Sequence, residues 1–279
     1  MKPFAFLLAF FISLVPTTFA DNKPSPSIIR AIELNQGTWS YLGASVQANF
    51  SSGANSPAAS CHGKLLYART DEKILFTCAN AEGQLLFIFK TEDDLFELFI
   101  PAANTIYHGS IFDLEDSAEM HSHLKPLSFY RALKLMAILS EDSSIEQGNQ
   151  ITTINQFKGE NPSRYLYRQL TIDDQYRVIS EEYFRPNSKS WTRIQRENFQ
   201  QFKVSKKIRF VFPNKVSFES YSPSVSSKLG KDILENDLSV SRTTLDFSTL
   251  QFPNTIPDDQ WIAPYPESAK RIEIISELA

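Results

Sequence analysis

The sequence has little cysteine, little glycine and little net charge, and each shortage narrows the class of protein. With two cysteines in 279 residues, the chain is not a disulfide scaffold and must bury a hydrophobic core. A net charge of −4 argues against a nucleic-acid partner. Only nine glycines accompany 22 phenylalanines, ten tyrosines and three tryptophans. This aromatic-rich composition is typical of β-sheet proteins.

Catalytic and cofactor motifs are also missing from the sequence. It contains no G-x-S-x-G, no H-E-x-x-H, no phosphate-binding loop and no dinucleotide fingerprint. We therefore expect a protein that is not an enzyme and needs no cofactor. The segment "EMHSH" is a candidate metal cluster, because Glu119, His121 and His123 would share one face of a strand. A polar loop ahead of a helix explains the same residues more simply, so we predict no metal site.

The first twenty residues have the pattern of a secretory signal peptide. A lysine precedes an apolar run at residues 4–15, and a small-residue cleavage site ends at Ala20. The alternative is an uncleaved anchor, although this run is short for a membrane span. No later stretch approaches the ~20 apolar residues that a transmembrane helix needs. We expect cleavage near Ala20 and a periplasmic or secreted chain in which residues 21–279 form a single domain.

From Tyr41 onward, apolar and polar residues alternate with the period of β-strands. Short turn-rich segments such as "RTDE", "NAEG" and "TEDD" separate the strands, so consecutive strands should pair antiparallel. The first half is predicted to contain strands at Tyr41–Phe50, Cys61–Ala68, Lys73–Cys78, Leu85–Lys90, Leu95–Ile100 and Thr105–His108. The second half is predicted to contain Ile151–Phe157, Arg164–Ile172, Tyr176–Phe184, Thr192–Phe202, Lys207–Phe212, Lys215–Tyr221 and Leu238–Phe247, with "FPNK" as a turn at 212–215.

Helical patterns interrupt the strands at two places. A short helix is predicted at Ile28–Leu34, and a clearer one at 127–139, within a helical insertion at about 113–140. The fold class that follows is mainly β (α+β). We expect a strongly curved antiparallel sheet, an incomplete β-barrel of about 11 strands, with helices covering its concave apolar face. Residues 225–236 are predicted as a loop, and "AKRIEIISELA" at the end as a short helix or an extended tail.

Charged residues mark the outer face of each strand, and the apolar residues between them mark the inner face. The inner face is predicted to line an apolar ligand site with Phe50, Leu65, Tyr67, Phe76, Phe87, Phe89, Phe96, Leu98, Ile100, Phe210 and Phe218. Two interpretations stay open. Either the helices fill the concave face and make an ordinary core, or they close it partly and leave an apolar pocket of roughly 300 Å³ or more.

The two cysteines flank one predicted hairpin, "CHGKLLYARTDEKILFTC". If the hairpin turns about Arg69-Thr70, Cys61 lies directly opposite Cys78, within the span of a disulfide. A metal pair would need further ligands nearby, and a redox site favours the spacing C-x-x-C. We therefore predict a structural Cys61–Cys78 disulfide.

The order of elements resembles the LolA/LolB-like superfamily of bacterial envelope proteins. The strand "SVQANF" precedes the run "GKLLYARTDEKILFTCANAEGQLLFIFKTEDDLFELFIPAANTIYHGS", in which Gly63 leads a hairpin and "LFELFIP" ends at Pro101. The segments "RYLYRQLTIDDQYRVISEEYF" and "RFVFPNKVSFES" are similar to the second half of that family. The similarity covers about residues 30–262.

This resemblance implies helices over a hydrophobic cavity and a role in carrying acyl chains or lipoproteins through the periplasm. We therefore expect a carrier whose ligand, a lipid or lipoprotein acyl chain, lies in the concave face. The alternative is an envelope interaction, stress-sensing or assembly protein that docks a protein partner on the same half-barrel. The basic segment "KVSKKIR" at 203–209 is either a solvated strand face or a transient contact with an anionic membrane surface.

Overall fold

The computed structural model describes residues 22–37, 39–52, 59–111, 126–134, 138, 141–186, 190–203, 209–223 and 238–274. Five predicted features lie wholly or mainly outside these ranges: the signal peptide, "EMHSH", the loop at 225–236, the basic residues of 204–208 and the second half of the helix at 127–139. Within the described ranges, no helix is long and apolar enough to cross a membrane.

The described strands form one large curved sheet. Its first half contains β1 Tyr41–Ser52, β2 Ala59–Ala68, β3 Lys73–Ala79, β4 Leu85–Glu92, β5 Leu95–Ile100 and β6 Thr105–Ser110. Its second half contains β7 Ser143–Gln147, β8 Ile151–Lys158, β9 Tyr165–Asp173, β10 Val178–Phe184, β11 Ser190–Lys203, β12 Arg209–Pro223 and β13 Leu238–Gln251, followed by β14 Lys270–Glu273. The sheet has 14 strands rather than about 11.

The strand order is β14-β6-β5-β4-β3-β2-β1-β13-β12-β11-β10-β9-β8-β7. Every neighbouring pair is antiparallel except β14 with β6, which is parallel. The two halves meet where β1 pairs with β13, over Gly43 to Ser52. Because β14 and β7 stand at opposite ends of the order, the described sheet is open, as expected for an incomplete barrel.

The predicted turn "FPNK" is wrong, since residues 212–215 lie inside the single strand β12. Phe199 of β11 pairs with Pro213, whereas pairing with β13 begins only at Lys215. Pro213 therefore lies where β12 has one strand neighbour among the described residues. A proline is tolerated at such an edge because its missing N–H faces no second ladder.

Two strands escaped prediction because their sequences carry no strong β pattern. The strand β7, "SSIEQ", follows the helical insertion and pairs with β8. The strand β14, "KRIE", takes the extended alternative predicted for the tail and pairs with β6 over Thr105 to His108.

Two helices pack on the concave side of the sheet. The first, α1, spans Pro26–Gln36, with a proline in its first turn, where the missing N–H costs nothing. It ends at Gly37, whose φ is +76°, and a Cβ there would lie 2.4 Å from the Cβ of Phe210. Glycine is therefore required both by the backbone and by the close approach of β12. The second, α2, spans Pro126–Leu133.

Apolar residues are buried on both faces of the first half of the sheet. The concave cluster contains the inner residues of β1–β5 together with α2 and β12. A separate cluster on the convex face contains Leu66, Leu75, Ile88, Phe99 and Ile106, covered by the C-terminal segment 256–269 through Trp261. The alternation of apolar and charged residues did not predict this convex cluster.

Candidate ligand-binding groove

The predicted disulfide joins Cys61 of β2 to Cys78 of β3, with Cα atoms 5.7 Å apart. The register differs from the prediction, because Cys78 lies opposite Gly63 rather than Cys61. The hairpin loop has four residues, 69–72, instead of two, which moves the pairing by two positions. A shift of two keeps every side chain on its predicted face, so both sulfurs still lie in the concave cluster and bridge the strands diagonally.

All eleven residues predicted to line the ligand site pack into or against one concave cluster. Ten are buried members of it, and Ile100 packs against it partly buried. The helix α2 occupies the space above them. Its Phe129 ring stacks on Phe76 at 5.2 Å and meets Phe89 at 5.1 Å and Phe218 at 6.1 Å, edge to face. The described part of the concave face is therefore a filled core at this point.

Polar contacts also hold α2 in place. Ser128 shares a hydrogen bond of 2.6 Å with Ser220 of β12. Tyr130 donates to Glu72, in the loop between β2 and β3, and Lys134 forms an ion pair with the same carboxylate. The hydrogen bond from Lys134 holds the pKa of Glu72 below its ordinary value. Burial and the bond to Glu72 raise the pKa of Tyr130, so its hydroxyl remains a donor at neutral pH.

A groove of about 170 Å³ opens beside the C-terminal end of α2. Its walls come from α1, α2, the turn between β9 and β10, and strands β11 and β12. Six of its lining residues also belong to the concave cluster: Trp39, Tyr67, Ala132, Leu133, Phe212 and Val216. The groove is thus continuous with the concave core. Of the eleven predicted lining residues, it includes only Tyr67.

Trp39 forms the aromatic end of the groove. Its ring packs edge to face against Tyr67 at 5.5 Å and Phe212 at 5.9 Å, and lies 5.5 Å from Phe252. Its indole N–H donates to the carbonyl of Gln36 at the end of α1. These contacts satisfy the polar atom and fix the ring, so the groove has a rigid apolar end.

Four cationic side chains line the groove, and its described lining residues include no carboxylate. Lys134 is paired with Glu72, and Arg177 with Asp173 at 2.6 Å. Arg69 donates to the carbonyl of Gly37 at 2.7 Å, and its guanidinium lies 5.4 Å from the Trp39 ring centre. The fourth cation, Arg196, reaches the groove from β11.

Arg196 belongs to a buried charge network behind the groove. Glu181 of β10 accepts hydrogen bonds from Arg168 at 2.7 Å, from Arg196 at 2.9 Å and from the hydroxyl of Tyr183 at 2.6 Å. Burial pushes the pKa of Glu181 upward, but the two arginine charges outweigh it and hold the pKa below its ordinary value. Gln156 accepts a further bond from Arg168. Glu181 is fully buried, and its one charge serves both arginines.

Sequence reasoning missed the groove because its walls are far apart in the chain, from Ile32 to Val216. Arg168, Glu181 and Arg196 stand two positions from Leu170, Tyr183 and Ile194, respectively. Strand alternation therefore places them on the same face as apolar residues, but it does not show that they contact one another. The described residues contain no cluster of three or more metal-binding side chains.

No protein-family model matches the chain, and no curated protein matches it by sequence. Solved structures match it in fold. A LolA superfamily protein from Nitrosomonas europaea superposes with a TM-score of 0.53 at 12% identity, over 86% of this chain and 98% of the other. A domain assigned to the outer membrane lipoprotein-sorting proteins of Vibrio parahaemolyticus gives 0.56 at 12% identity, over 84% and 94%.

A DUF1329 family protein from Desulfovibrio piger gives a TM-score of 0.54 at 10% identity, over 86% of this chain and 98% of the other. Each superposition spans nearly the whole neighbour, so the likeness concerns the entire half-barrel rather than one motif. The predicted resemblance is confirmed at the level of fold: this chain has the fold of LolA superfamily and lipoprotein-sorting proteins.

Proposed function

We propose that the chain is a non-enzymatic envelope protein of the periplasm that carries an apolar ligand, a lipid or the acyl chain of a lipoprotein. The observation that carries the proposal is the groove that opens beside α2 and continues into the concave cluster through Trp39, Tyr67 and Phe212. An apolar chain entering there meets aromatic and aliphatic walls. The fold shared with lipoprotein-sorting proteins supports the same role.

The size of the groove sets how the ligand is held. About 170 Å³ is less than the ~300–1,000 Å³ of most small-molecule pockets, so the groove holds one end of an acyl chain. Deeper insertion requires α2 to move away from β3, β4 and β12, where the Phe129 contacts lie. Each methylene of the ligand that leaves water contributes about 0.8 kcal/mol to the binding free energy, and this offsets part of the cost of displacing α2. The groove is the entrance, and the concave face is the site of a longer ligand.

Uptake of the neutral fluorophore N-phenyl-1-naphthylamine tests this proposal. We expect its fluorescence to rise on binding and to fall when an unlabelled acyl compound competes. Val211 lines the groove from β12 and is half-buried, so Val211→Trp should fill the groove and reduce uptake. Leu86→Trp is the matched control, because Leu86 is 38% exposed on β4, away from the groove.

Native mass spectrometry of protein purified from its host provides the second readout. A co-purifying lipid, together with groove-dependent uptake, supports the carrier. The proposal fails if the wild-type protein takes up no fluorophore and carries no ligand.

The filled concave face favours one second candidate, an envelope interaction protein that docks a protein partner. Two exposed apolar side chains lie at the groove end of the molecule, Leu34 on α1 and Tyr176 in the turn between β9 and β10. Asn35 beside Leu34 donates to the carbonyl of Gln175, which brings these two side chains to one end. A stoichiometric protein partner that binds without lipid, and is lost in Leu34→Asp, would favour this candidate over the carrier.

A further inference from the structure

Arg196 has a donor atom that no described residue accepts from. The side chain is 8% exposed, and its Nη2 bonds to Glu181 at 2.9 Å. Its Nη1 is buried and has no hydrogen-bond partner among the described residues. A buried guanidinium donor without a partner is destabilising, because it has lost water and gained nothing in exchange. The same side chain lines the groove.

The charges around the groove favour an anion at this position. Glu181 divides one negative charge between Arg196 and Arg168. Arg69, also in the groove, forms no ion pair with any described carboxylate, and its contacts are a carbonyl and the Trp39 ring. The described lining contains no carboxylate side chain, so an anion entering the groove can accept hydrogen bonds from Arg196 and Arg69.

We propose that the groove binds the anionic headgroup of a single-chain amphiphile, a carboxylate or phosphate, with Arg196 Nη1 as a donor to it. The inference rests on the proposed carrier function and names its ligand class. The headgroup lies between Arg196 and Arg69, and the chain lies along Trp39, Leu133 and Phe212. A charge-assisted hydrogen bond in a dry site is the interaction that a neutral ester of the same chain lacks.

Displacement of N-phenyl-1-naphthylamine by decanoate and by methyl decanoate separates the headgroup from the chain. In the wild-type protein we expect decanoate to bind about tenfold or more tightly than the ester, the effect of one hydrogen bond to a charged group. Inorganic phosphate is the third competitor. We expect phosphate to displace the fluorophore weakly or not at all, because it lacks the acyl chain that contributes part of the binding free energy.

Variants of two arginines on β11 test whether Arg196 causes the preference for decanoate over methyl decanoate. In Arg196→Gln the ratio of the decanoate affinity to the methyl decanoate affinity should fall to less than about threefold, and retained binding of methyl decanoate shows that the groove is still formed. Arg196→Lys keeps a cation near Glu181 but lacks the second terminal nitrogen, and should also lose most of the preference. Arg193→Gln is the matched control, because Arg193 pairs with Glu182 and does not line the groove.

The outcomes distinguish the headgroup inference from the proposed carrier function on which it rests. Equal binding of decanoate and ester by the wild-type protein overturns the headgroup inference and leaves the carrier standing. If Arg196→Lys keeps the full preference for decanoate, the assignment to Nη1 is wrong. If phosphate displaces the fluorophore as strongly as decanoate does, the groove binds a free anion, and the assignment to an amphiphile is wrong. Binding of neither acyl compound, with no uptake of the fluorophore, overturns the carrier and the inference together.

Discussion

Among the described residues, Glu181 is the carboxylate that two buried arginines share. Both partners and the hydroxyl of Tyr183 donate to it at 2.6–2.9 Å, and the carboxylate has no exposed surface. Replacing a charge in such a network leaves its partners uncompensated, which is far more costly than losing a surface pair.

We therefore expect Glu181→Gln to lower the free energy of unfolding by about 3–5 kcal/mol at pH 7. Urea unfolding followed by tryptophan fluorescence measures the change. Glu182→Gln is the control on the same strand, because its partner Arg193 is 43% exposed, and should cost less than about 1 kcal/mol. Equal losses of stability in the two variants would show that the buried network contributes no more to the free energy of unfolding than the surface pair does.

The pH dependence of this effect has a definite sign. The folded pKa of Glu181 lies below its ordinary value of 4.5, so its contribution is fully present above that value. As pH falls through the lower folded pKa, the carboxyl is protonated in both states and the contribution disappears. The stability gap between wild type and Glu181→Gln should be constant from pH 7 to pH 5 and shrink under more acidic conditions. A gap that persists unchanged to complete acid unfolding would contradict this assignment.

The Cys61–Cys78 disulfide closes a loop with a sequence separation of 17 residues. Its reduction should lower the free energy of unfolding by about 3 kcal/mol, mainly because the unfolded chain gains freedom. Urea unfolding with and without reductant measures the loss, and the double variant Cys61→Ala, Cys78→Ala should show no further effect of reductant. Labelling of two free thiols in the unreduced folded protein would rule the disulfide out.

The helix α2 is a short element held by several buried side chains and a few polar contacts, and Phe129 makes the most ring contacts among them. Phe129 touches Phe76, Phe89 and Phe218, which belong to three different strands. We expect Phe129→Ala to cost about 3–5 kcal/mol, because it removes buried area and leaves a cavity.

Thermal or urea unfolding measures that cost. Leu95→Ala on β5 is the control, since Leu95 is 63% exposed and its loss should change stability by less than about 0.5 kcal/mol. If Phe129→Ala is as stable as the control, α2 is not held by its packing, and the concave face is open rather than filled.

Strand periodicity predicted the inner face of the sheet well, and for a clear reason. Lys64, Lys73 and Lys90 fix the outer face of β2–β4, so the apolar residues between them must point inward. A register error of two in the β2–β3 hairpin did not move a single side chain to the other face. The elements β7 and β14 could not be predicted this way. The segment "SSIEQ" has a single apolar residue and so no alternation, although its partner β8 follows directly in the chain. The segment "KRIE" gains its strand conformation from β6, which is distant in sequence.

The groove and the charge network depend on contacts that no local pattern contains. Arg193 and Arg196 stand three positions apart on β11 and therefore lie on opposite faces of the strand. Arg193 pairs at the surface, whereas Arg196 is buried against Glu181. Strand alternation indicates the face of Arg196, but not its pairing with a carboxylate of β10 or its position beside α2. The apolar lining was therefore predictable as a face, but not the part of that face that remains open.

At the scale of the whole molecule, the C-terminal segment links the two halves of the sheet. It leaves β13 in the second half, crosses the convex face of the first half and ends as β14 beside β6. Trp261 is its main buried contact, in the cluster with Leu66 and Leu75, and Lys73 lies 5.4 Å from its ring centre. Without this cover, the convex face of the first half would expose a contiguous apolar patch, which favours association of copies.

We expect Trp261→Ala to lower the free energy of unfolding by about 3–5 kcal/mol and to promote self-association. Urea unfolding followed by circular dichroism measures the first effect, and sedimentation velocity measures the second. Ile262→Ala is the adjacent control, because Ile262 is 70% exposed and its truncation should change neither property. Equal stability and equal sedimentation of the two variants would show that the first half folds without its convex cover. The expected result would mean that the fold needs both faces of one sheet buried: the concave face under α2, next to the groove, and the convex face under the chain's own C-terminal segment.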